Sequence, residues 1–392
     1  MERSRREGGR RSGEVPASAA AATRINGVDT VITGLSGPAE AAQPVFARSA
    51  RPGEIMAALD LGTNNCRLLV ARHAGSGFHV IDAFSRIVRL GEGVSQTGRL
   101  SEAAINRTLE ALKICAGKMA RRGVTLSRAV ATEACRRAEN CTDFVGRTLS
   151  ETGVRLDIIT TGEEAQLAFK GCLPLLDKHR PYAIVFDIGG GSTELGWLRF
   201  RPNLPPEMVA WHSVPLGVVS LTERFGAEPQ PGEDADAFYE RMVDLVAAHL
   251  DPLHRAISAA RAIGAGEVQM LGTSGTVTTL AGIRLGLPRY DRGQVDGSYL
   301  DFADVERISN DIARRDVAGR AQIPCIGLER ADLVLSGCAI LSAICRLWPV
   351  GRLRVADRGV REGILMSLMS GPARNAALEA PIPVTNGIVV SA

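Results

Sequence analysis

Apolar positions in this chain fall into two arrangements: short runs that stop at an acidic residue, and longer stretches striped at helical spacing. The first run, 55–61 (IMAALDL), closes on Asp60 before Gly62 and predicts a buried strand meeting a turn. Residues 66–72 and 78–90 predict two further strands, which completes a meander. Ser101 then has the chemistry of a helix N-cap, with Leu100 and Ile105 spaced as a hydrophobic staple. Ile105, Leu109, Leu112, Cys115 and Met119 follow on one helical face, and Gly123 supplies a stop. A strand at 127–132, a helix at 141–152, a strand at 155–160 and a helix at 163–176 come next. The order is βββαβαβα.

The pattern then restarts. Residues 182–188 (YAIVFDI) repeat the run that ends in Asp, and Gly189 to Thr193 lead into strands at 194–200 and 207–216. Phe238, Met242, Leu245, Val246 and Leu250 stripe a helix over 235–258. A strand at 267–271 enters Gly272-Thr273-Ser274-Gly275, followed by a helix at 276–286. Helices at 302–315 and 330–347, a strand at 352–356 and a helix at 360–370 complete the chain. Two similar α/β units imply an internal duplication, and two such copies face each other across a ligand-binding cleft. The expected division is a disordered tail at 1–53, a first domain at 54–172, a second at 173–372 and a frayed tail at 373–392.

Composition narrows the function classes. Of 392 residues, 45% are hydrophobic and 23% charged, enough for a large core. No apolar run approaches the roughly 18 residues of a membrane span. Aromatic residues are only 4%, and 46 basic residues against 43 acidic leave a net charge of +3. Neither value favours nucleic acid, whose binding needs a basic face or stacking platforms. The eight cysteines form no C-x-x-C pair, which argues for buried thiols in a reducing cytoplasm. The expectation is a cytoplasmic protein without membrane or nucleic-acid partners. A homodimer is left open.

Three strand-end turns carry the chemistry: Gly62-Thr63-Asn64-Asn65, Gly189-Gly190-Gly191-Ser192-Thr193 and Gly272-Thr273-Ser274-Gly275. Such turns can aim successive backbone N–H groups at one anion, and glycine lets the backbone approach a phosphate. Asp60 and Asp187 end the strands beside two of these turns. Oxygen ligands next to phosphate nests are what Mg²⁺ requires. Glu163 and Glu164 open a helix after Gly162; helix-dipole placement accounts for Glu163. Arg136 or Arg137 could clamp a phosphate.

These residues carry a resemblance. The segments ALDLGTNNCRLLVA (58–71), ATEACRRAEN (131–140), ITTGEEAQLAFKG (159–171), FDIGGGSTELGW (186–197), LGTSGTVTTLAG (271–282) and VADRGVREGIL (355–365) are similar to the exopolyphosphatase / guanosine pentaphosphate phosphohydrolase (Ppx/GppA) family. That family belongs to the actin-like ATPase and sugar kinase superfamily. The resemblance implies two ribonuclease H-like domains around a cleft and Mg²⁺-assisted release of terminal phosphate from polyphosphate or guanosine pentaphosphate. It implies Glu164 as the activator of water, Asp187 and Glu194 in Mg²⁺ and substrate positioning, and Arg136 on a phosphate. Thr63, Asn64 and Asn65 would surround the phosphates, and Gly272 to Gly275 would face a nucleoside. Thr161 stands where the family usually has Gly, and Gln166 replaces a frequent Arg. Long family members carry a further helical C-terminal region, so the expectation for this chain is short substrates. The rivals are a small-molecule kinase using ATP and a non-catalytic sensor of guanosine tetra- or pentaphosphate.

Overall fold

The computed structural model describes residues 48–371 and the backbone of 384–385 and 388–390. Strands β1 (Ile55–Leu61), β2 (Asn65–Ala74), β3 (Gly77–Ile87), β4 (Leu126–Ala131) and β5 (Leu156–Ile158) form one sheet in the order β3-β2-β1-β4-β5. Alternation along β1 sends Ala57, Leu59 and Leu61 to one face and Met56 and Ala58 to the other. The first face is covered by helices Glu102–Arg121 and Cys141–Thr152, through Ile105, Leu109, Leu112 and Phe144. As the sequence requires, Ser101 caps the longer helix by accepting from the Ala104 N–H.

The second sheet contains β6 (Tyr182–Ile188), β7 (Thr193–Arg199), β8 (Glu207–Val214), β9 (Val268–Thr273), β10 (Tyr299–Asp301), β11 (Arg352–Ala356), β12 (Val384–Thr385) and β13 (Ile388–Val390). Its order is β10-β11-β9-β6-β7-β8-β13-β12. The stretch β8-β7-β6-β9-β11 repeats the order of the first sheet, so the duplication extends to topology. Helices Ala235–Ile257 and Val334–Leu347 pack over one face. The architecture is α/β with two ribonuclease H-like halves.

Helix Thr161–Cys172 lies between the sheets. Leu167 and Ala168 pack toward the first, and Ala165, Phe169 and Cys172 toward the second. Its N-terminus therefore opens at the cleft, and with it the Glu163-Glu164 pair.

Three expectations about boundaries need correction. Helix Val360–Ser370, assigned to the second half, packs instead on the first sheet through Val360, Ile364, Leu365 and Leu368. It can cross back because Gly363 has no side chain; a Cβ there would collide with the Leu167 carbonyl. The ordered body also starts before residue 53: Ala50 is buried and its N–H donates to the Leu368 carbonyl at 2.8 Å. The rest of the expected N-terminal tail, 1–47, lies outside the described residues. Within the expected C-terminal tail, β13 pairs antiparallel with β8 (Val389 with Trp211, Val390 with Ala210). There β12 pairs antiparallel with β13, and the other residues of 373–392 lie outside the described residues.

Candidate active site

The three turns converge because the strands bearing them lie near the centre of each sheet. In the first, the Gly62 N–H donates to the Asn65 carbonyl, and the loop after β3 braces the turn from behind. Val88 and Arg89 N–H groups donate to the Asn64 carbonyl, and the Gly91 N–H to that of Thr63. In the second, the Gly189 N–H closes on the Ser192 carbonyl at 2.9 Å. A Cβ on Gly190 would stand 2.9 Å from Thr63 Cβ, and one on Gly191 2.8 Å from Glu133 Cγ. The two turns thus press against each other across the cleft, and glycine is what lets them. In the third, Ser274 caps helix Gly275–Arg284 with φ at 145°, a conformation that strains any residue with a side chain.

All three turns line one cavity of about 130 Å³. Its walls include Asp60, Gly62, Thr63, Asn64, Asn65, Glu164, Asp187, Gly189, Gly190, Gly191, Ser192, Ser274 and Gly275. A second cavity of about 550 Å³ adjoins it and shares Asp60, Arg67, Asp187, Ser274, Gly275, Arg330 and Val360.

Burial dominates the electrostatics. It pushes the Asp187 carboxyl up to about 7, helped by the neighbouring Glu164 charge. Asp60 is raised for the same reason, against the pull of Arg67 and Arg361. Glu164 is pushed up to about 8 by burial and by Glu194, with Arg136 opposing. These acidic groups stand together with too little positive charge. Asn64 Oδ1 and Asn65 Oδ1 are also buried without a hydrogen-bond partner among the described residues. The donor set is hard oxygen throughout, which fits a small divalent cation shared with phosphates. Among the described residues, no group of three or more His, Cys, Asp or Glu side chains is arranged to hold a metal by itself. A cation here would rest on one or two carboxylates, with ligand oxygens and water supplying the rest.

The structure separates the acidic pair at the helix start. Glu163 turns to Arg128 at 2.6 Å, whereas Glu164 faces the cavity and accepts from Arg136 Nη1 at 2.8 Å. Other expected residues sit differently from the sequence reading. Arg136 does not line the cavity; its guanidinium is held by Glu133, Glu164 and the Ile159 carbonyl. Burial lowers the affinity of this guanidinium for its proton, and Glu164 and Glu133 more than offset that. A buried guanidinium seeks carboxylates, and Arg136 is paired with both Glu164 and Glu133. Glu194 is 2% exposed beneath the cavity, its Oε1 accepting from Ser192 Oγ at 2.7 Å and Ser213 Oγ at 2.9 Å. That arrangement positions Ser192; as a metal ligand, Glu194 would use its other oxygen. Thr193 bonds the Leu216 carbonyl, Gly272 packs on the Phe186 ring, and Thr273 faces the adjoining cavity.

Sequence reasoning missed Arg67, Glu133 and Arg330 in the cavity wall. Arg67 had a signal, because the hairpin register that pairs Leu61 with Cys66 places it opposite Asp60. Arg330 lies in irregular chain and had none.

Comparison with known proteins decides the family. A model of the Ppx/GppA phosphatase family matches residues 69–371. Exopolyphosphatase 2 of Mycobacterium tuberculosis is 31% identical over 327 residues, covering 80% of this chain and 98% of the relative. The chain belongs to the Ppx/GppA phosphatase family. Among Ppx/GppA structures, the Aquifex aeolicus PPX-GPPA enzyme aligns with a TM-score of 0.66 at 28% identity, covering 80% of this chain and 99% of that one. An exopolyphosphatase from Cytophaga hutchinsonii shares the fold with a TM-score of 0.72 at 24% identity, covering 81% and 98%. Ppx/GppA membership makes the chain a hydrolase of phosphoanhydrides. Among the described residues no helix is long and apolar enough to cross a membrane.

Proposed function

We propose that this chain releases the terminal phosphate of inorganic polyphosphate or guanosine pentaphosphate by in-line attack of a water activated by Glu164. The observation that carries the reading is the placement of Glu164: a buried carboxylate in the wall that both phosphate turns share, steered by Arg136. Arg136 takes Oε2, which leaves Oε1 without a protein hydrogen bond among the described residues and able, in the ionised form, to accept the proton of water. Phosphoryl transfer needs little covalent help, so positioning and charge neutralisation supply most of the catalysis. The backbone N–H groups of the first two turns and Ser192 hold the terminal phosphates. Asp60 and Asp187 would hold Mg²⁺, with Asn64 and Asn65 beside it; bound there, the ion supplies positive charge to the phosphate oxygens. The adjoining cavity takes the remainder of the substrate.

The test is phosphate release from a panel of short polyphosphate, long polyphosphate, guanosine pentaphosphate and ATP, with and without Mg²⁺. Expected is Mg²⁺-dependent release from polyphosphate or guanosine pentaphosphate with no acceptor added. Turnover of ATP that depends on an acceptor would replace the reading with a kinase. Tight guanosine pentaphosphate binding without release from any substrate would replace it with a sensor.

A further inference from the structure

The loop after β3 does more than brace the first turn. Arg89 has φ at 48°, the left-handed region that a residue with a side chain occupies only when its surroundings hold it there. Its backbone N–H donates to the Asn64 carbonyl at 3.0 Å. Its guanidinium leaves the first half of the molecule and reaches the second. There it meets Asp332 in a bidentate pair, 2.7 Å from Nη1 to Oδ2 and 3.1 Å from Nη2 to Oδ1, and donates to the Glu329 carbonyl at 3.2 Å. Both partners are about one-third exposed. Asp332 stands beside Arg330, Leu333 and Val334, which line the catalytic cavity. One residue thus ties the back of a phosphate turn to the opposite wall of the cleft without touching the cavity itself. A second fastening lies nearby: Glu223, on helix Val218–Phe225, accepts from the Gly93 N–H at 2.8 Å and from the Ser95 hydroxyl.

We propose that the Arg89–Asp332 pair is a latch that holds the cleft closed around the substrate and makes Arg89 a positioning residue for the Thr63-Asn64 turn. This rests on the phosphohydrolase reading for its kinetic consequence but not for its structural one. A bidentate guanidinium–carboxylate pair is stronger and more directional than an ordinary surface pair. Substrate bridging both turns favours the same closed state. Loss of the latch therefore lowers the fraction of free enzyme that is ready to bind, and saturating substrate restores closure. The signature is a raised KM with kcat preserved.

The experiment compares Arg89→Glu, Asp332→Arg, the charge-swapped double variant and Arg89→Gly, with polyphosphate as substrate. A bare charge effect on a polyanion would move KM in opposite directions in the two single variants, because one adds negative and the other positive charge. The latch instead raises KM in both, by about three- to tenfold, with kcat within about twofold. The charge-swapped double returns toward the starting KM. Arg89→Gly removes the guanidinium while relieving the backbone, so KM rises without a loss of thermal stability. Hydrogen exchange without substrate provides a readout independent of activity: amides at 60–66, 88–91 and 329–334 exchange faster in both single variants and recover in the double. Opposite shifts in KM, no recovery in the double, or unchanged exchange in the single variants would each overturn the latch. If the parent chain releases no phosphate but the exchange pattern appears, the latch stands and the substrate assignment fails.

Discussion

The first two glycine turns come from equivalent places in a duplicated fold, yet they are built differently. Each follows a buried strand whose next-to-last residue is Asp, and each joins two antiparallel strands. The first carries side chains, Thr63, Asn64 and Asn65; the second is almost bare backbone, Gly189 to Gly191. The neighbourhood explains the contrast. A Cβ on Gly62 would meet nothing closer than the Asn65 carbonyl at 3.7 Å, whereas one on Gly190 or Gly191 would strike the first half of the molecule. The first turn supplies polar atoms, and the second gives up its side chains so that the halves can close. The glycines of the second turn thus record a cross-cleft contact.

Substitutions in and between the two turns test that contrast. The largest effect is expected at Glu164, which serves both turns. Glu164→Gln keeps the volume but cannot take a proton, so turnover should fall about 10²–10⁴-fold. Glu163→Gln, whose partner is Arg128 on the far side, should leave turnover within a few-fold. Near-normal turnover in Glu164→Gln would transfer water activation to another group.

Next comes the asymmetry between the turns. Gly190→Ala should cost at least about tenfold in kcat/KM, because its methyl group drives Thr63 back and wedges the cleft. Gly62→Ala meets ordinary contacts and should cost far less. Equal losses in the two variants would mean that the close approach across the cleft is not what the glycines serve.

The paired carboxylates give a smaller effect. Asp187→Asn and Asp60→Asn each remove one charged oxygen, and each should raise the Mg²⁺ concentration for half-maximal rate. A Mg²⁺ titration unaltered in both would reduce the two residues to turn caps.

The smallest effect concerns stability. Asp187 and Glu164 sit at about 7 and about 8 when folded, whereas carboxyls in an unfolded chain titrate near 4. Between those values the folded chain binds more protons than the unfolded one, so stability should fall as pH rises from about 5 to about 8. In metal-free solution the melting temperature should decline across that window, and Mg²⁺ or Glu164→Gln should reduce the decline. A melting temperature that rises over the window, with no difference in Glu164→Gln, would contradict the sign.

What was legible in the sequence was what neighbouring residues decide. The Ser101 cap, the period of Glu102–Arg121, both runs that end in Asp, and the duplicated order all follow from local spacing. Helix Val360–Ser370 could be read as a helix, but not that it crosses to the first sheet, since that depends on a glycine contact with Leu167. The short helices Glu133–Arg137 and Val218–Phe225 have too few turns to display a period. Local spacing left Glu163 and Glu164 both open and only the resemblance singled out Glu164; in the structure Glu164 faces the cavity and Glu163 pairs with Arg128. Arg136 and Glu194 were found as residues but not as partners, because a buried charge chooses its counter-group in three dimensions.

In the proposed chemistry, water attacks the terminal phosphorus inside this cleft. That step is tested most directly by a single turnover on short polyphosphate with Mg²⁺ in heavy-oxygen water, followed by mass analysis of both products. Expected are one heavy oxygen in each released orthophosphate, none in the shortened chain, and near-complete loss of the labelled product in Glu164→Gln over the same interval. Label in the shortened chain, unlabelled orthophosphate, or labelled product forming at the parent rate in Glu164→Gln would contradict it.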